Sequence, residues 1–292
     1  MAIWNLGSIN IDHVYRLAHL PQPGETIAAQ GYALGLGGKG ANQSIAAARA
    51  GASTLHLGAM SDGDDWVPRR LVDYGVQTHL IQRQPGQTTG HAIILLESSG
   101  ENSIVIHPGA NRQIDSAALM AAMDEITAAD TLLLQNETSL QVQAAQAARA
   151  KGAKVIYSAA PFDLQALREV LPYVSVLAMN AGEAEQLFAA MPGEIPVEGL
   201  LITRGAEGAE YRDLTTGETT HQPAFAVRPV DTTGAGDTFA GYFAAARDGG
   251  ATIAAALELA AAAAALKVTR AGAGDAIPTY DEVQEFLQSF PG

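Results

Sequence analysis

A short glycine-rich stretch that ends on a carboxylate combines an anion site with a candidate base. It is Asp231-Thr232-Thr233-Gly234-Ala235-Gly236-Asp237, and it leads into a predicted helix over 235–247. Small residues let the backbone approach a ligand closely, and free N–H groups at a helix start bind anions. Asp237 could cap the helix, or it could accept a proton from a hydroxyl held beside a bound phosphate. The spacing alone favours neither interpretation.

A second glycine-rich stretch, Gly35-Leu36-Gly37-Gly38-Lys39-Gly40-Ala41-Asn42-Gln43, fits neither of two common phosphate motifs. Its glycines at 35, 37 and 40 match the dinucleotide fingerprint, but that fingerprint should directly follow the first strand, which ends near Gly7. Lys39 is followed by glycine, whereas a Walker loop requires serine or threonine there. The stretch therefore predicts either a plain helix entry or a pocket for a polyhydroxylated ligand, lined by Gly38, Lys39 and Asn42.

Polar side chains follow three predicted strands at their carboxyl ends, where parallel sheets bind ligands. Asn10 and Asp12 would point the same way in an extended segment and suit two sugar hydroxyls, or they would form an Asx-turn. Glu137 follows another strand. Asn180 and Glu183, three apart at a helix start, could orient phosphate or Mg²⁺-bound water. They could equally form an N-cap with a first-turn acid.

Apolar segments alternate with helical ones and must position these side chains. Six segments lack polar/apolar alternation and are predicted as strands buried on both faces: 2–7, 54–59, 131–135, 154–158, 174–179 and 200–203. The predicted helices are 41–50, 65–74, 115–125, 140–150, 163–170, 182–190, 235–247, 253–268 and 279–287. This alternation implies right-handed βαβ units around a parallel sheet.

Other segments interrupt the alternation and predict hairpins or a small separate sheet. They are 26–34, then 89–96 with 103–107, and finally 209–214 with 219–221. Ser98-Ser99-Gly100-Glu101-Asn102 joins the middle pair and is typical of a hairpin turn. We expect the first two groups to form a small β-sheet that projects from the main body.

The composition argues against several classes of protein. Lys and Arg total 17 against 31 Asp and Glu, for a net charge of −14. That balance disfavours nucleic-acid partners and anionic membranes. The chain has no cysteine, so disulfides and thiol chemistry are excluded. The alanine-rich segment 251–266 is interrupted by Glu258 and is shorter than the ~20 residues that span a bilayer. The first residues lack the basic region of a signal peptide, so we expect a cytoplasmic protein.

Taken together, the motifs resemble those of the ribokinase (PfkB) family of carbohydrate kinases, from Gly7 to about Pro278. They occur in family order as Gly7-Ser8-Ile9-Asn10-Ile11-Asp12, Gly37-Gly38-Lys39-Gly40-Ala41-Asn42-Gln43, His107-Pro108-Gly109-Ala110-Asn111, Thr203-Arg204-Gly205 and the stretch 231–237. The resemblance implies an α/β fold, a Rossmann-like three-layer αβα arrangement with a mostly parallel central sheet. It implies a single domain over 1–292, with a β-sheet lid inserted from about 12–36 and 88–108.

The implied activity is transfer of the γ-phosphate of ATP to a primary hydroxyl of a sugar, with a ribose-like pentose as the first candidate. A ketohexose, a sugar acid or a nucleoside remains open as acceptor, as does a non-catalytic sugar or nucleotide sensor. A sensor has no need of a base, so the presence of both Asp237 and the glycine-rich nest argues against it. An NAD-dependent oxidoreductase is disfavoured by the position of its fingerprint.

The resemblance also assigns roles to individual residues. Asp237 deprotonates the acceptor, and the amides of Gly234, Ala235, Gly236 and Asp237 form an anion hole. The implied sugar ligands are Asn10, Asp12, Gly38, Lys39, Asn42 and Glu137, together with Asp237. The implied nucleotide contacts are Asn180, Thr203, Gly205, Gly208 and Gly236, with Mg²⁺ held through water by Glu183. A K⁺ site is implied at Asp231 and the carbonyl of Thr233, with further candidates at Lys267, Arg270 and Gly272. A homodimer is implied through the lids.

Two features depart from the family pattern. Residues 188–199 are about a dozen residues shorter than usual and lack a helix, so we expect one sheet face near the nucleotide to be less covered or covered by another chain. Arg204 stands where family members often have an apolar residue. Both departures bear on nucleotide preference and affinity more than on catalysis.

Overall fold

The computed structural model describes residues 1–97 and 101–290, which form a large sheet, a small sheet and nine α-helices. The strands are β1 (Ile3–Leu6), β2 (Asn10–Leu17), β3 (Gly31–Gly37), β4 (Thr54–Ser61), β5 (Val76–Gln77), β6 (Ile81–Gln84), β7 (Gly90–Glu97), β8 (Asn102–His107), β9 (Thr131–Gln135), β10 (Lys154–Ser158), β11 (Val176–Asn180), β12 (Gly199–Thr203), β13 (Ala209–Asp213) and β14 (Thr219–Gln222). The helices are α1 (Lys39–Arg49), α2 (Trp66–Asp73), α3 (Ser116–Met123), α4 (Gln141–Ala150), α5 (Leu164–Val170), α6 (Ala181–Ala190), α7 (Ala235–Asp248), α8 (Ile253–Val268) and α9 (Tyr280–Ser289).

The large sheet runs in the order β14-β13-β12-β11-β10-β9-β1-β4-β5, and β6 pairs with β4 beyond the end of β5. Its strands are parallel from β12 to β5, whereas β13 and β14 are antiparallel. The predicted parallel sheet, its six strands and the hairpin over 209–221 are confirmed. Among the described residues, no helix is both long enough and apolar enough to span a membrane.

The central strands are buried on both faces, which explains why their sequences do not alternate. In β9, Leu132 and Leu134 pack into a core shared with α3, α4, α5 and α6, while Leu133 packs against α1 and α7 on the opposite face. The result is the three-layer αβα arrangement predicted from the sequence. The alanine-rich α8 is a helix as predicted, and it packs along α7 with Ala260 and Ala263 fully buried.

Close packing of α7 against α1 depends on one glycine. A Cβ at Gly241 would lie 2.5 Å from the Cβ of Ala46 and 2.6 Å from the carbonyl oxygen of Gln43. Glycine at 241 therefore lets the two helices approach closely. This approach brings the start of α1 beside the start of α7, where the two glycine-rich stretches lie.

The small sheet has the order β3-β2-β7-β8 and confirms the predicted separate sheet, with different bounds. The extended segment predicted at 26–34 becomes a strand only from Gly31, and β2 begins already at Asn10, before the expected lid boundary. Pairing of β7 with β8 is antiparallel as expected, and residues 98–100 of the predicted turn lie outside the described residues. The short edge strands β5 and β6 were not predicted.

The short connection between α6 and β12 contains no helix, as expected from its length. Ile195 is buried, and Met191 and Val197 pack against the same core as Leu187 of α6. Apolar side chains of this connection therefore cover part of the sheet face that the sequence left in question.

Candidate active site

A cleft of about 160 Å³ opens at the carboxyl ends of β10, β11 and β12, beside the first turn of α7. This edge is where parallel sheets bind ligands. The cleft brings together many of the residues predicted from the two glycine-rich stretches and the strand ends. Those lining it are Lys39, Asn180, Glu183, Thr203, Gly234, Ala235, Gly236 and Asp237.

Asp237 is held in place by two amides from α1. Nδ2 of Asn42 donates to Oδ2 across 3.2 Å, and Nε2 of Gln43 donates to Oδ1 across 3.1 Å. Asp237 is 8% exposed. Its position in the first turn follows from Gly234, which adopts φ 72° and starts the helix at Ala235. The carboxylate accepts side-chain donors from another helix, so its role goes beyond that of a helix cap.

The first turn of α7 presents backbone amides to the cleft. The amide of Ala235 donates to the carbonyl of Thr232 across 3.2 Å, and the amide of Thr238 donates to the carbonyl of Gly234 across 2.9 Å. The amides of Gly236 and Asp237 lie in the part of a helix that has no internal acceptor. These two are the better candidates for anion binding, and Ala235 is partly committed to the turn.

A buried polar chain lies behind Asp237 and was missed from the sequence. Nε2 of Gln135 donates to Oε1 of Gln43 across 2.8 Å and to Oδ1 of Asn5 across 2.9 Å. Asn5 in turn donates to Ser44 across 2.8 Å. The available signal was a polar residue inside each of two apolar strands, Asn5 in β1 and Gln135 in β9.

Asn42 has a second polar atom that faces no protein partner. Its Oδ1 is buried and, within the residues described, accepts no hydrogen bond, although its Nδ2 contacts Asp237. A buried acceptor without a donor is unfavourable in free energy, and in native proteins such atoms commonly bind a ligand or a water molecule. Because this oxygen has almost no exposed surface, the contact that Asn42 makes with the site is the one from Nδ2 to Asp237.

Acidic residues from the other strand ends extend the site. Glu137 accepts hydrogen bonds from the Ser8 hydroxyl and from the Lys39 amide, the latter across 3.2 Å, and burial raises its pKa. Burial, aided by the charge of Glu137, raises the pKa of Asp12 to about 7. Gly37 lies against the Asp12 carboxylate, where a Cβ would overlap it.

The start of β2 is fixed by an asparagine that the sequence analysis did not place in the site. Nδ2 of Asn111 donates to Oδ1 of Asn10 across 2.9 Å, and the amide of Ile9 donates to Oδ1 of Asn111 across 2.9 Å. Gly38 adopts φ 91°, and a Cβ there would lie 2.9 Å from the amide nitrogen of Asn10. Glycine at 38 thus allows the start of α1 to contact β2.

Lys39 supplies the positive charge at the centre of this acidic site. The charge of Asp237 raises the pKa of Lys39 against the opposing effect of burial, and Glu137 and Glu183 add to the rise. The site therefore holds Lys39 as a cation among three carboxylates. This arrangement suits a ligand that presents both hydroxyls and phosphate.

Asn180 and Glu183 form the capping box that was one of their two interpretations. Oδ1 of Asn180 accepts from the Glu183 amide across 2.9 Å, and Oε2 of Glu183 accepts from the Asn180 amide across 2.8 Å. Both residues also line the cleft, and burial raises the pKa of Glu183. A capping role and a ligand role are therefore compatible here.

The turn after β12 carries the remaining nucleotide candidates. Thr203 lines the cleft, and Gly205 and Gly208 adopt positive φ angles of 56° and 104° in the turn that follows. A Cβ at Gly208 would lie 2.7 Å from the amide nitrogen of Ala224. Arg204 forms a 2.9 Å salt bridge with the nearly buried Glu210 of β13, so its charge is paired within the protein.

The five residues predicted for a monovalent cation lie close together, because hydrogen bonds join Asp231 to Thr233, Gly272 and Lys267, and join Lys267 to Arg270. Asp231 accepts from the amides of Thr233 and Gly272, each across 2.9 Å. Burial alone would raise the pKa of Asp231, but these two amides, together with the Thr233 side chain and the charge of Lys267, outweigh burial and hold that pKa below its ordinary value. The guanidinium of Arg270 donates to the Glu282 carboxylate across 2.8 Å. The ammonium group of Lys267 donates to the carbonyl oxygen of Asp231. Within the described part of the chain, no cluster of three or more His, Asp or Glu side chains is arranged to hold a metal ion.

Comparisons with known proteins agree with this geometry. A family model for the pfkB family carbohydrate kinases matches residues 3–280. A ribokinase of Haemophilus influenzae is 35% identical over 302 residues, with 97% of each chain covered, and a deoxyribokinase of Salmonella typhi is 30% identical over 98% of this chain and 99% of its own. The solved structure of an Arabidopsis thaliana ribokinase complexed with ribose and ATP has a TM-score of 0.88 and 29% identity, with 99% of both chains covered. The chain therefore belongs to the pfkB family of carbohydrate kinases, and it is an ATP-dependent sugar kinase.

Proposed function

We propose that this kinase phosphorylates a primary hydroxyl of ribose and that Asp237 is its catalytic base. The observation that carries the proposal is the pairing of two groups at one point of the cleft. The Asp237 carboxylate, an acceptor for a proton, lies in the first turn of α7 beside the Gly236 and Asp237 amides, which have no acceptor inside the helix. An acceptor hydroxyl held at this turn would meet its base and the transferred phosphate together.

In the proposed reaction, Asp237 takes the proton of the acceptor hydroxyl as its oxygen attacks the γ-phosphorus of ATP. The bond between the γ-phosphorus and the bridging oxygen breaks, and ADP leaves. The amides of Gly236 and Asp237, together with Gly234 and Ala235 that shape the turn, stabilise the negative charge on the transferred group. Lys39, held as a cation, adds a positive charge beside the transferred group.

The sugar would be held by the side chains on the β2 side of Asp237. We assign its hydroxyl contacts to Asn10, Asp12, Gly38, Lys39, Asn42 and Glu137. Ribose is favoured by the ribokinase relatives, and 2-deoxyribose is the second candidate because a deoxyribokinase is 30% identical over nearly the whole chain. The two sugars differ by a single hydroxyl, so one hydrogen-bonding side chain can decide between them.

The nucleotide would occupy the opposite end of the cleft. Its contacts are assigned to Asn180, Thr203, Gly205, Gly208 and Gly236. Mg²⁺ fits beside Glu183, because within the described residues only Oε2 of this carboxylate is hydrogen-bonded and Mg²⁺ prefers carboxylate and water oxygens. When bound, Mg²⁺ supplies charge neutralisation on the β- and γ-phosphate oxygens.

The small sheet is proposed to act as a lid inserted into one kinase domain and to join two copies of the chain. Large apolar side chains are exposed on it, and a second copy would cover them: Tyr32, Leu34, Ile93, Ile104, Val105 and Ile106. We propose a homodimer through this sheet, with no nucleic-acid or membrane partner because the net charge is −14. A cytoplasmic location is proposed because ATP is supplied there.

The test is ADP release with Mg-ATP against ribose, 2-deoxyribose, ketohexoses, sugar acids and nucleosides. The proposal predicts the highest kcat/KM for ribose, with a phosphate monoester on its primary hydroxyl as product. Preference for a nucleoside or a sugar acid would replace the substrate assignment and leave the kinase class intact. ATP binding without any phosphorylated product would favour a sensor.

A further inference from the structure

Lys267 is a fully buried lysine in the last turn of α8, with 0% of its surface exposed. Lysine is almost never fully buried unless its charge is paired. Its Nζ donates to the carbonyl oxygen of Asp231 across 2.9 Å, and the Asp231 carboxylate opposes the lowering of the Lys267 pKa by burial. The ammonium group therefore lies at the beginning of the stretch 231–237 that carries the catalytic base.

This is the place where the sequence predicted a free monovalent cation, and the oxygen atoms of Asp231 and Lys267 there already accept hydrogen bonds. The Asp231 carboxylate accepts from the amides of Thr233 and Gly272, and the carbonyl of Lys267 accepts from the Arg270 amide across 3.0 Å. A free cation would also be repelled by the ammonium group beside Asp231. The ammonium group of Lys267 therefore opposes a second monovalent cation beside Asp231.

The same contacts tie α8 to the entry of α7. The amides of Val230 and Asp231 both donate to the carbonyl of Val268, across 2.7 and 3.1 Å. Asp231 then orders Thr233, which directly precedes Gly234 and the first turn of α7. Any group that fixes Asp231 also fixes the position of the Gly236 and Asp237 amides.

We infer that the ammonium group of Lys267 takes the place of a monovalent activator and holds the stretch 231–237 in its working conformation without K⁺. Lys267 is a positioning residue, since it touches Asp231 and neither reactant. An ammonium with three donors and one positive charge resembles a bound monovalent cation in charge, but it is covalently fixed and is never lost at low salt. The inference rests on the proposed kinase activity and predicts that this activity needs no added K⁺.

The test compares the wild-type chain with Lys267→Ala in K⁺, NH₄⁺, Na⁺ or tetramethylammonium chloride at equal ionic strength. Wild-type turnover is expected to vary by less than about twofold between the salts, because no ion site is open. Lys267→Ala is expected to lose at least about tenfold in tetramethylammonium and to recover in K⁺ or NH₄⁺, which can occupy the vacated position. The matched control is Lys151→Ala, an exposed lysine on the opposite side of the sheet, which should behave like wild type in every salt.

Thermal unfolding gives a second readout that does not require activity. K⁺ should raise the Tm of Lys267→Ala relative to tetramethylammonium and leave the Tm of the wild type unchanged. The inference would be overturned if wild-type turnover fell about tenfold on withdrawal of K⁺. It would also be overturned if the turnover and Tm of Lys267→Ala were the same with and without K⁺. If the variant fails to fold, the wild-type salt series alone decides. Absence of phosphoryl transfer in all salts would instead refute the proposed function, and the Tm series would still test the ion site.

Discussion

The side-chain amide of Gln43 donates a hydrogen bond to Oδ1 of Asp237 across 3.1 Å, and its oxygen accepts one from Gln135 across 2.8 Å. Gln43 thus links the candidate base on α7 to the central strand β9. Both ends of the amide are engaged, so its orientation is fixed without a ligand. The geometry of Asp237 is therefore set by the core of the protein before a sugar arrives.

Replacing Gln43 by leucine should lower turnover while leaving sugar binding largely intact. The variant removes one donor to a buried carboxylate, an interaction of about 1.5–3 kcal/mol, or about 10- to 100-fold in rate if the whole effect falls on the transition state. Steady-state kinetics should show this loss in kcat with little change in the sugar KM. Gln165→Leu, at an exposed position on α5, is the matched control. An unchanged kcat would show that Gln43 does not position Asp237.

Sugar affinity should fall as the pH is lowered below about 7, because burial and Glu137 raise the pKa of Asp12 to about 7. The ionised carboxylate accepts hydrogen bonds from sugar hydroxyls on both oxygens, and it is lost on protonation. Isothermal titration calorimetry without nucleotide should give a Kd about tenfold weaker for each pH unit below that value. Asp12→Asn should bind more weakly at high pH and show no such dependence. A wild-type Kd that stays flat from acid to neutral pH would remove Asp12 from the sugar contacts.

The free energy of unfolding should depend on pH through His56, which is fully buried between the Ser44 hydroxyl and the Gly7 carbonyl. Burial lowers its pKa from 6.5 to about 4, so between these values the unfolded chain binds a proton that the folded chain does not. The contribution of His56 to the free energy of unfolding is therefore most favourable above about pH 6.5, and it falls as the pH decreases towards 4.

The contribution of His56 is best measured as a difference between wild type and a His56 variant. The raised pKa of Asp12 changes the free energy of unfolding in the opposite direction over an overlapping pH range. Denaturant unfolding of wild type and His56→Gln should give pH slopes that differ by about 1.4 kcal/mol per pH unit in this window, steeper for wild type. His79→Gln, at an exposed histidine, should keep the wild-type slope. Equal slopes for wild type and His56→Gln would contradict a buried neutral His56.

The sequence predicted the central sheet and the helices to within about two residues at each end, because strands buried on both faces and amphipathic helices leave local patterns. Eight of the predicted site residues line one cleft at the edge of the sheet, because that edge collects the carboxyl ends of the strands. The hydrogen-bonded side chains of Asn5, Gln135 and Gln43 could not be predicted from the sequence, because their hydrogen bonds join residues 92 and 130 positions apart. Lys267 was predicted to contribute to an ion site, but no local signal indicated that its own ammonium group would lie there.

The most direct test of the account is single-turnover phosphoryl transfer by Asp237→Asn with saturating Mg-ATP and ribose, beside a measurement of ATP binding. The neutral amide keeps the shape of the side chain but cannot take the proton, so transfer should slow by about 10²- to 10⁴-fold with ATP affinity unchanged. Asp281→Asn makes the same substitution in the exposed first turn of α9 and should transfer at the wild-type rate. An Asp237→Asn enzyme that transfers phosphate at a near wild-type rate would contradict the assignment of Asp237 as the base.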